Sequence, residues 1–181
     1  MDRKQELKAL VVRDALLKGE FVLSSGKTSN YYVDIRKISL SSEGVALIAE
    51  LILEKLDGGR AVDMIGGPTI GADPIVGAVA ALSRRSKRPM DAFLVRKQSK
   101  EHGTRAKIEG PPVAGKAVAV IDDVVTTGSS LISALEAARE GGAHVARVLA
   151  VLDRNEGAAQ AVEKLGLRLE PLLTLADITE E

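Results

Sequence analysis

The chain alternates short, continuous apolar runs with helix-patterned segments, and that alternation leaves few architectures open. The runs are Val62–Ile65, Ala92–Val95, Ala117–Ile121, Val145–Leu152 and Leu169–Leu175. Between them the pattern predicts helices from about Ala72 to Arg85, along the stripe Leu131, Leu135 and Ala138 up to Gly141-Gly142, and over Ala158–Leu165. A strand apolar along its whole length is buried on both faces, which demands a mainly parallel sheet with helices on either side. The expected class is therefore α/β, a doubly wound sheet. Ligands of such sheets bind at the carboxyl ends of the strands, which singles out the connections after Ile65, Val95 and Ile121. Upstream, Leu7, Leu10, Val11 and Leu17 predict an amphipathic helix ending near Gly19. Ile48, Leu51, Ile52 and Leu56 predict another, closed by Gly58-Gly59. Phe21–Val33, rich in Ser, Gly and Tyr, reads as a loop or hairpin. No repeat or linker divides the 181 residues, so one domain with one core is expected.

Composition narrows the chemistry. Lys plus Arg and Asp plus Glu both total 25, so the net charge is zero and bulk charge predicts neither a nucleic-acid nor a membrane partner. Aromatic residues make up 2%, too few for a single-strand stacking platform. The absence of cysteine excludes disulfides, thiolate metal sites and a cysteine nucleophile. Met1–Leu10 lacks the apolar core of a signal peptide and no apolar stretch approaches a membrane span, so a cytoplasmic setting is expected.

The strongest local signal is the run Val118–Ser130. An apolar strand delivers Asp122 and Asp123 to the sheet edge. Val124, Val125, Thr126, Thr127, Gly128, Ser129 and Ser130 then lead into a helix. The first amides of a helix lack internal partners and carry partial positive charge, which suits a phosphate. Gly128 permits close approach and the hydroxyls add donors. Two carboxylates beside a phosphate need partners of their own, and vicinal sugar hydroxyls or a magnesium ion bridging to pyrophosphate would serve. Capping and turn formation explain one Asp and one Thr, but not two acids followed by this series of small residues. Neither a Gly-Lys-Ser/Thr loop nor a Gly-x-Gly-x-x-Gly fingerprint is present.

Two weaker signals flank it. Gly66–Gly71 could form a nest of amides for a diphosphate or be plain turn chemistry. The polar stretch Arg96–Gly110, with Arg96, Lys97, Lys100, His102, Arg105 and Lys107, reads either as a solvated loop or as a lid over an anionic ligand.

The segment Asp122–Gly128 with its apolar strand resembles the phosphoribosyl-pyrophosphate signature of type I phosphoribosyltransferases. Within that superfamily the chain is most similar to the orotate phosphoribosyltransferases. Phe21–Asp34 resembles the N-terminal substrate segment, Arg96–Gly103 the mobile catalytic loop, and Leu152-Asp153-Arg154-Asn155-Glu156 the strand end whose arginine meets orotate. The resemblance implies a type I phosphoribosyltransferase fold, with a small hood over about residues 1–40 and a mobile loop over 96–110. It implies transfer of 5-phosphoribosyl from phosphoribosyl pyrophosphate to orotate, giving orotidine 5′-monophosphate and pyrophosphate, with magnesium bound mainly through substrate. Asp122 and Asp123 would hold the ribose hydroxyls, and Thr126 to Ser130 the 5′-phosphate within a site running from Asp122 through Val124 and Val125 to Ser130. Arg96, Lys97, Lys100 and His102 would hold pyrophosphate, with Lys100 and His102 catalytic. Thr126 and Arg154 would meet orotate, Arg154 as a fork on its carboxylate and carbonyl oxygens. The loop would act in the neighbouring subunit of a homodimer. Ser24 and Gly71 stand where many relatives carry lysine. The alternatives are a phosphoribosyltransferase for a purine or another base, and a non-catalytic regulator of the same fold.

Overall fold

The computed structural model describes residues 2–22, 28–86, 88–97 and 107–179. The chain opens with helix α1 (Arg3–Leu10), which continues as a π-helical turn, Val11–Ala15, before strand β1 (Leu16–Val22) pairs antiparallel with β2 (Thr28–Val33). The first helical segment thus ends at Ala15, short of Gly19. Leu7, Leu10, Val11 and Ala15 complete its buried stripe, while Leu17 is half-exposed and opposite Tyr32 in the hairpin ladder. Phe21 and Tyr32 pack ring to ring at 5.6 Å. A single helical turn, α2 (Arg36–Ser39), then leads to α3 (Ser42–Asp57). Ser41 caps α3 by accepting from the Gly44 amide.

The remaining elements are β3 (Met64–Pro68), α4 (Asp73–Ser83), β4 (Asp91–Val95), β5 (Ile108–Glu109), β6 (Ala117–Val125), α5 (Ser129–Glu140), β7 (His144–Asp153), α6 (Ala158–Glu163), β8 (Leu169–Thr174) and α7 (Leu175–Thr179). Six of the strands form one sheet in the order β5-β4-β3-β6-β7-β8, parallel except for β5, which runs antiparallel to β4. Alternation along β6 sorts the core. Ala119 and Ile121 face the cluster of α1, α3 and α4, with Leu7, Ile48, Ile52 and Ile75. Val118 and Val120 face the cluster of α5 and α6, with Leu131, Leu135, Ala138 and Val162. This is the expected doubly wound α/β arrangement.

Beyond the first helix, two strand boundaries and two short elements differ from the sequence pattern. β3 occupies Met64–Pro68 rather than Val62–Ile65, because Gly66 and Gly67 are packing positions inside the strand rather than a turn. A Cβ on Gly66 would lie 2.5 Å from the Phe93 ring, and one on Gly67 would lie 2.0 Å from the Ile121 carbonyl oxygen and 2.7 Å from the Ala72 Cβ. β6 runs past the aspartates to Val125, held by the register Val124↔Leu152 and Val125↔Asp153. The two-residue β5 and the terminal α7 carry no periodic signal of their own. β5 exists through its pairing with β4, Leu94 to Glu109 and Val95 to Ile108.

The Gly67 contact yields a test. Gly67→Ala places a methyl against backbone that cannot move aside, so unfolding free energy should fall by about 1–3 kcal/mol or more. Denaturant titration reads this directly, and an unchanged midpoint would contradict the close approach of β3 and β6.

Candidate functional site

From β3 the chain passes to β4 on one side, and it later returns to place β6 on the other side of β3. The order of strands reverses there, which opens a crevice beyond the carboxyl ends of β3 and β6. A cavity of about 1110 Å3 occupies it. Its walls come from the turn Pro68–Gly71, the end of β6 with Thr126 and Ser130, Arg96 and Lys97 after β4, Arg154 after β7, and Tyr32, Asp34 and Arg36 from the N-terminal hairpin and α2.

Asp122 and Asp123 sit differently on the same strand end. Asp122 is buried, and desolvation first and the charge of Asp123 second push its carboxyl up to about 8, against which nearby Lys97 works. Its Oδ1 accepts from the Asp123 amide at 3.0 Å, and Asp123 Oδ1 accepts from the Val124 amide at 2.8 Å. Asp123 is half-buried and lies against Gly71, where a Cβ would come within 2.3 Å of its Oδ1. The paired acids therefore face a space that Gly71 keeps clear of side chain.

Beyond Val125 the backbone bends into α5. Gly128 is the residue before the helix, at φ +83°, a conformation costly for any residue with a Cβ. Its carbonyl accepts from Ile132 at 2.8 Å, while Thr126 and Ser130 line the cavity. The leading amides of α5 thus open onto the same crevice as the aspartates. Val124 lines the cavity from within β6, whereas the Val125 side chain is 2% exposed and belongs to the core, its carbonyl accepting from the Arg154 amide. Thr127 and Ser129 are exposed at the helix start.

Arg154 is buried at the end of β7 and lines the cavity. Its Nε donates to Glu156 Oε1 at 2.8 Å and its Nη2 to Ser29 Oγ at 3.2 Å. Those two contacts use the side edge of the guanidinium and leave the Nη1/Nη2 end for a ligand. Arg96 and Lys97 stand at the base of the polar stretch, where the Arg96 amide donates to the Lys107 carbonyl at 2.8 Å and Arg96 Nη1 meets Glu109 at 3.4 Å. Lys100, His102, Ser24 and Lys27 lie outside the described residues. His144 opens β7, exposed, with its Nε2 at 3.2 Å from Arg60 Nη1, and is not among the residues that line the cavity. Sequence reasoning missed Arg36 and the Glu156 contact. Asp34 and Arg36 are two residues apart directly after an alternating strand, and that spacing was the available signal.

Among the described residues, no group of three or more His, Cys, Asp and Glu is arranged to hold a metal ion. A strand end that presents two acids, one of them favouring its protonated form, fits an ion held chiefly by ligand oxygens rather than by a protein cage.

An acidic strand end beside an amide-and-hydroxyl cradle at a sheet switch point is the arrangement of proteins that bind a sugar phosphate. Residues 36–164 match the phosphoribosyl transferase domain, and the chain belongs to that family. Similarity extends over nearly the whole chain to the orotate phosphoribosyltransferases. That of Tropheryma whipplei (strain Twist) is 42% identical over 177 residues, covering 98% of this chain and 83% of the relative. The Mycobacterium tuberculosis H37Rv orotate phosphoribosyltransferase in complex with Fe(III) dicitrate superposes with a TM-score of 0.86 at 41% identity, covering 98% of this chain and 99% of that one. The same enzyme in complex with 5-phospho-alpha-D-ribosyl 1-diphosphate gives 0.81 at 39%, covering 97% and 98%.

The raised Asp122 carboxyl predicts how stability varies with pH. Its folded value of about 8 exceeds the 3.8 of a free carboxyl, so the folded state holds a proton that the unfolded state releases. Stability therefore falls as pH rises from about 4 to about 8. Asp122→Asn removes that loss, and its melting temperature without ligand should exceed the wild type's by a margin that widens from pH 5 to pH 8. Parallel melting curves across this range would contradict the burial argument.

Proposed function

We propose that this chain is a pentosyltransferase that moves the 5-phosphoribosyl group of phosphoribosyl pyrophosphate onto orotate, a step of pyrimidine nucleotide biosynthesis. The observation that carries the reading is the convergence of Asp122, Asp123, the Thr126–Ser130 cradle and Arg154 on one cavity. In the reaction the bond from the anomeric carbon to the pyrophosphate oxygen breaks, and its electron pair leaves with pyrophosphate. Orotate N1 supplies the pair for the new bond, and its proton passes to the departing pyrophosphate.

Each residue has a part in this reading. The amides and hydroxyls from Thr126 to Ser130 grip the 5′-phosphate, and carboxyl oxygens of Asp122 and Asp123 accept from the ribose diol, which fixes the anomeric carbon in the cavity. Arg154 offers the open end of its fork to the orotate carboxylate and carbonyl, while Glu156 and Ser29 hold the opposite edge. Thr126, on the wall of the same cavity as Arg154, meets the base as well. Arg96, Lys97, Lys100 and His102 neutralise the departing pyrophosphate, with His102 donating a hydrogen bond rather than transferring a proton. Magnesium held mainly through substrate oxygens would supply further charge neutralisation at the leaving group. The 96–110 segment closes over the ligand of a neighbouring subunit in a homodimer, and residues 1–40 form a hood within one catalytic domain. The described helices include none long and apolar enough to cross a membrane, which is consistent with a cytoplasmic enzyme.

Ultraviolet assay of orotate consumption, with and without magnesium and against adenine, guanine, hypoxanthine and uracil, tests the reading. Turnover with orotate alone, dependent on the metal, is expected; turnover with a purine would reassign the substrate. Lys100→Ala should lower turnover about a hundred- to thousand-fold while ribose 5-phosphate still binds. Wild-type turnover in that variant would remove the loop from the mechanism.

A further inference from the structure

The Asp34–Arg36 pair is a built feature of the cavity wall to which no role has yet been given. Arg36 opens α2, is half-exposed, and lines the cavity. Asp34 accepts from it three times: from its backbone amide at 3.1 Å, from Nε at 2.8 Å and from Nη2 at 3.0 Å. One carboxylate thus fixes both the start of α2 and the plane of the guanidinium. The side edge of the group is spent, and both Nη1 protons and the second Nη2 proton remain to be donated. Pairing with Arg36 holds the Asp34 carboxyl below the usual carboxylate range, so the anchor stays ionised near neutral pH.

The position of Arg36 in the cavity indicates what it serves. It lies within electrostatic reach of Asp123, whose carboxylate in turn lies against Gly71. The α2 arginine, the second aspartate and the turn after β3 all line the same cavity. That turn offers the Ile70 and Gly71 amides but no cationic side chain, the Thr69 amide being taken by the Val95 carbonyl at 3.0 Å. A diphosphate seated there would carry several negative charges beside the Asp123 carboxylate, and Arg36 would add to the positive charge that Arg96 and Lys97 bring to the same cavity. The other cations on the cavity wall among the described residues are Arg96, Lys97 and Arg154. Arg154 is engaged by Glu156 and Ser29 at the end of β7, and Arg96 and Lys97 follow β4.

Building on the phosphoribosyl reading, we infer that Arg36 is a diphosphate-binding residue, donating from its free guanidinium end to the pyrophosphate moiety, with Asp34 as its positioning residue.

Calorimetric titration of two probes, pyrophosphate and ribose 5-phosphate, each with magnesium present, tests this on the full chain. Arg36→Gln keeps length and polarity but loses the charge. It should weaken pyrophosphate binding about 10- to 100-fold and leave ribose 5-phosphate within about twofold. Arg36→Lys should fall between wild type and Arg36→Gln, since an ammonium restores the charge without the fork. Asp34→Asn should also weaken pyrophosphate selectively, and to a smaller extent. Equal pyrophosphate affinity in wild type and Arg36→Gln would overturn the inference and leave the phosphoribosyl reading intact. A loss confined to ribose 5-phosphate would overturn it too, by showing that Arg36 merely supports Asp123. Wild type that bound neither probe would overturn both readings together.

Discussion

The site rests on the desolvation of one carboxyl. Asp122 follows the wholly buried stretch Val118–Ile121 of β6, and the protein holds it 7% exposed next to a second acid. Nothing on the protein side compensates its charge fully; the Asp123 amide and the pull of Lys97 do so only in part. Such a group is held ready for a ligand that brings hydrogen-bond donors, and a sugar diol brings two side by side. The cost of burial is tolerated because β6 is the central strand, flanked by β3 and β7 and locked between two apolar clusters. A strand less firmly held would relax and let water reach the acid.

The glycines of β3 belong to the same constraint. Gly67 brings the backbone of β3 against the Ile121 carbonyl, one residue before Asp122, and Gly71 leaves space for the Asp123 carboxylate. Both are positions where the absence of a side chain determines where the acids can be. The crevice is therefore shaped by what β3 and its turn lack as much as by what β6 presents.

That mixture explains what could be read in the sequence. The run Ala117–Asp123 and the stripe Leu131, Leu135, Ala138 were legible because burial on both faces of a strand, and on one face of a helix, leaves a periodic mark. Gly66-Gly67-Pro68 was misleading because those residues have strong turn propensity, and the reason they stand in a strand is the Phe93 ring and the Ile121 carbonyl, neither of which is near them in sequence. β5 left no mark because a two-residue strand is made by its partner. The end of the first helix was overrun because Leu17 falls on the helical period yet is taken by the hairpin ladder instead. The acids and the small residues after them carried the site because they act from contiguous positions. Arg36, Ser29 and Glu156 did not, since each acquires its meaning only when the hairpin and the strand ends meet.

Arg154 shows how that meeting is enforced. A buried guanidinium with loose ends would be costly, and the fold satisfies one edge from two distant sources: Glu156 in its own turn and Ser29 on β2, 125 residues away in sequence. Ser29 is itself fixed, since its hydroxyl donates to the Tyr31 carbonyl at 2.9 Å and accepts from the Tyr31 amide at 3.2 Å. The hairpin is thus tied to the sheet through a residue at the cavity wall, and Arg36 extends the same N-terminal part to the other end of the cavity. Two arginines, each pinned along one edge and open at the other, thus face one cavity, one from the end of β7 and one from the start of α2.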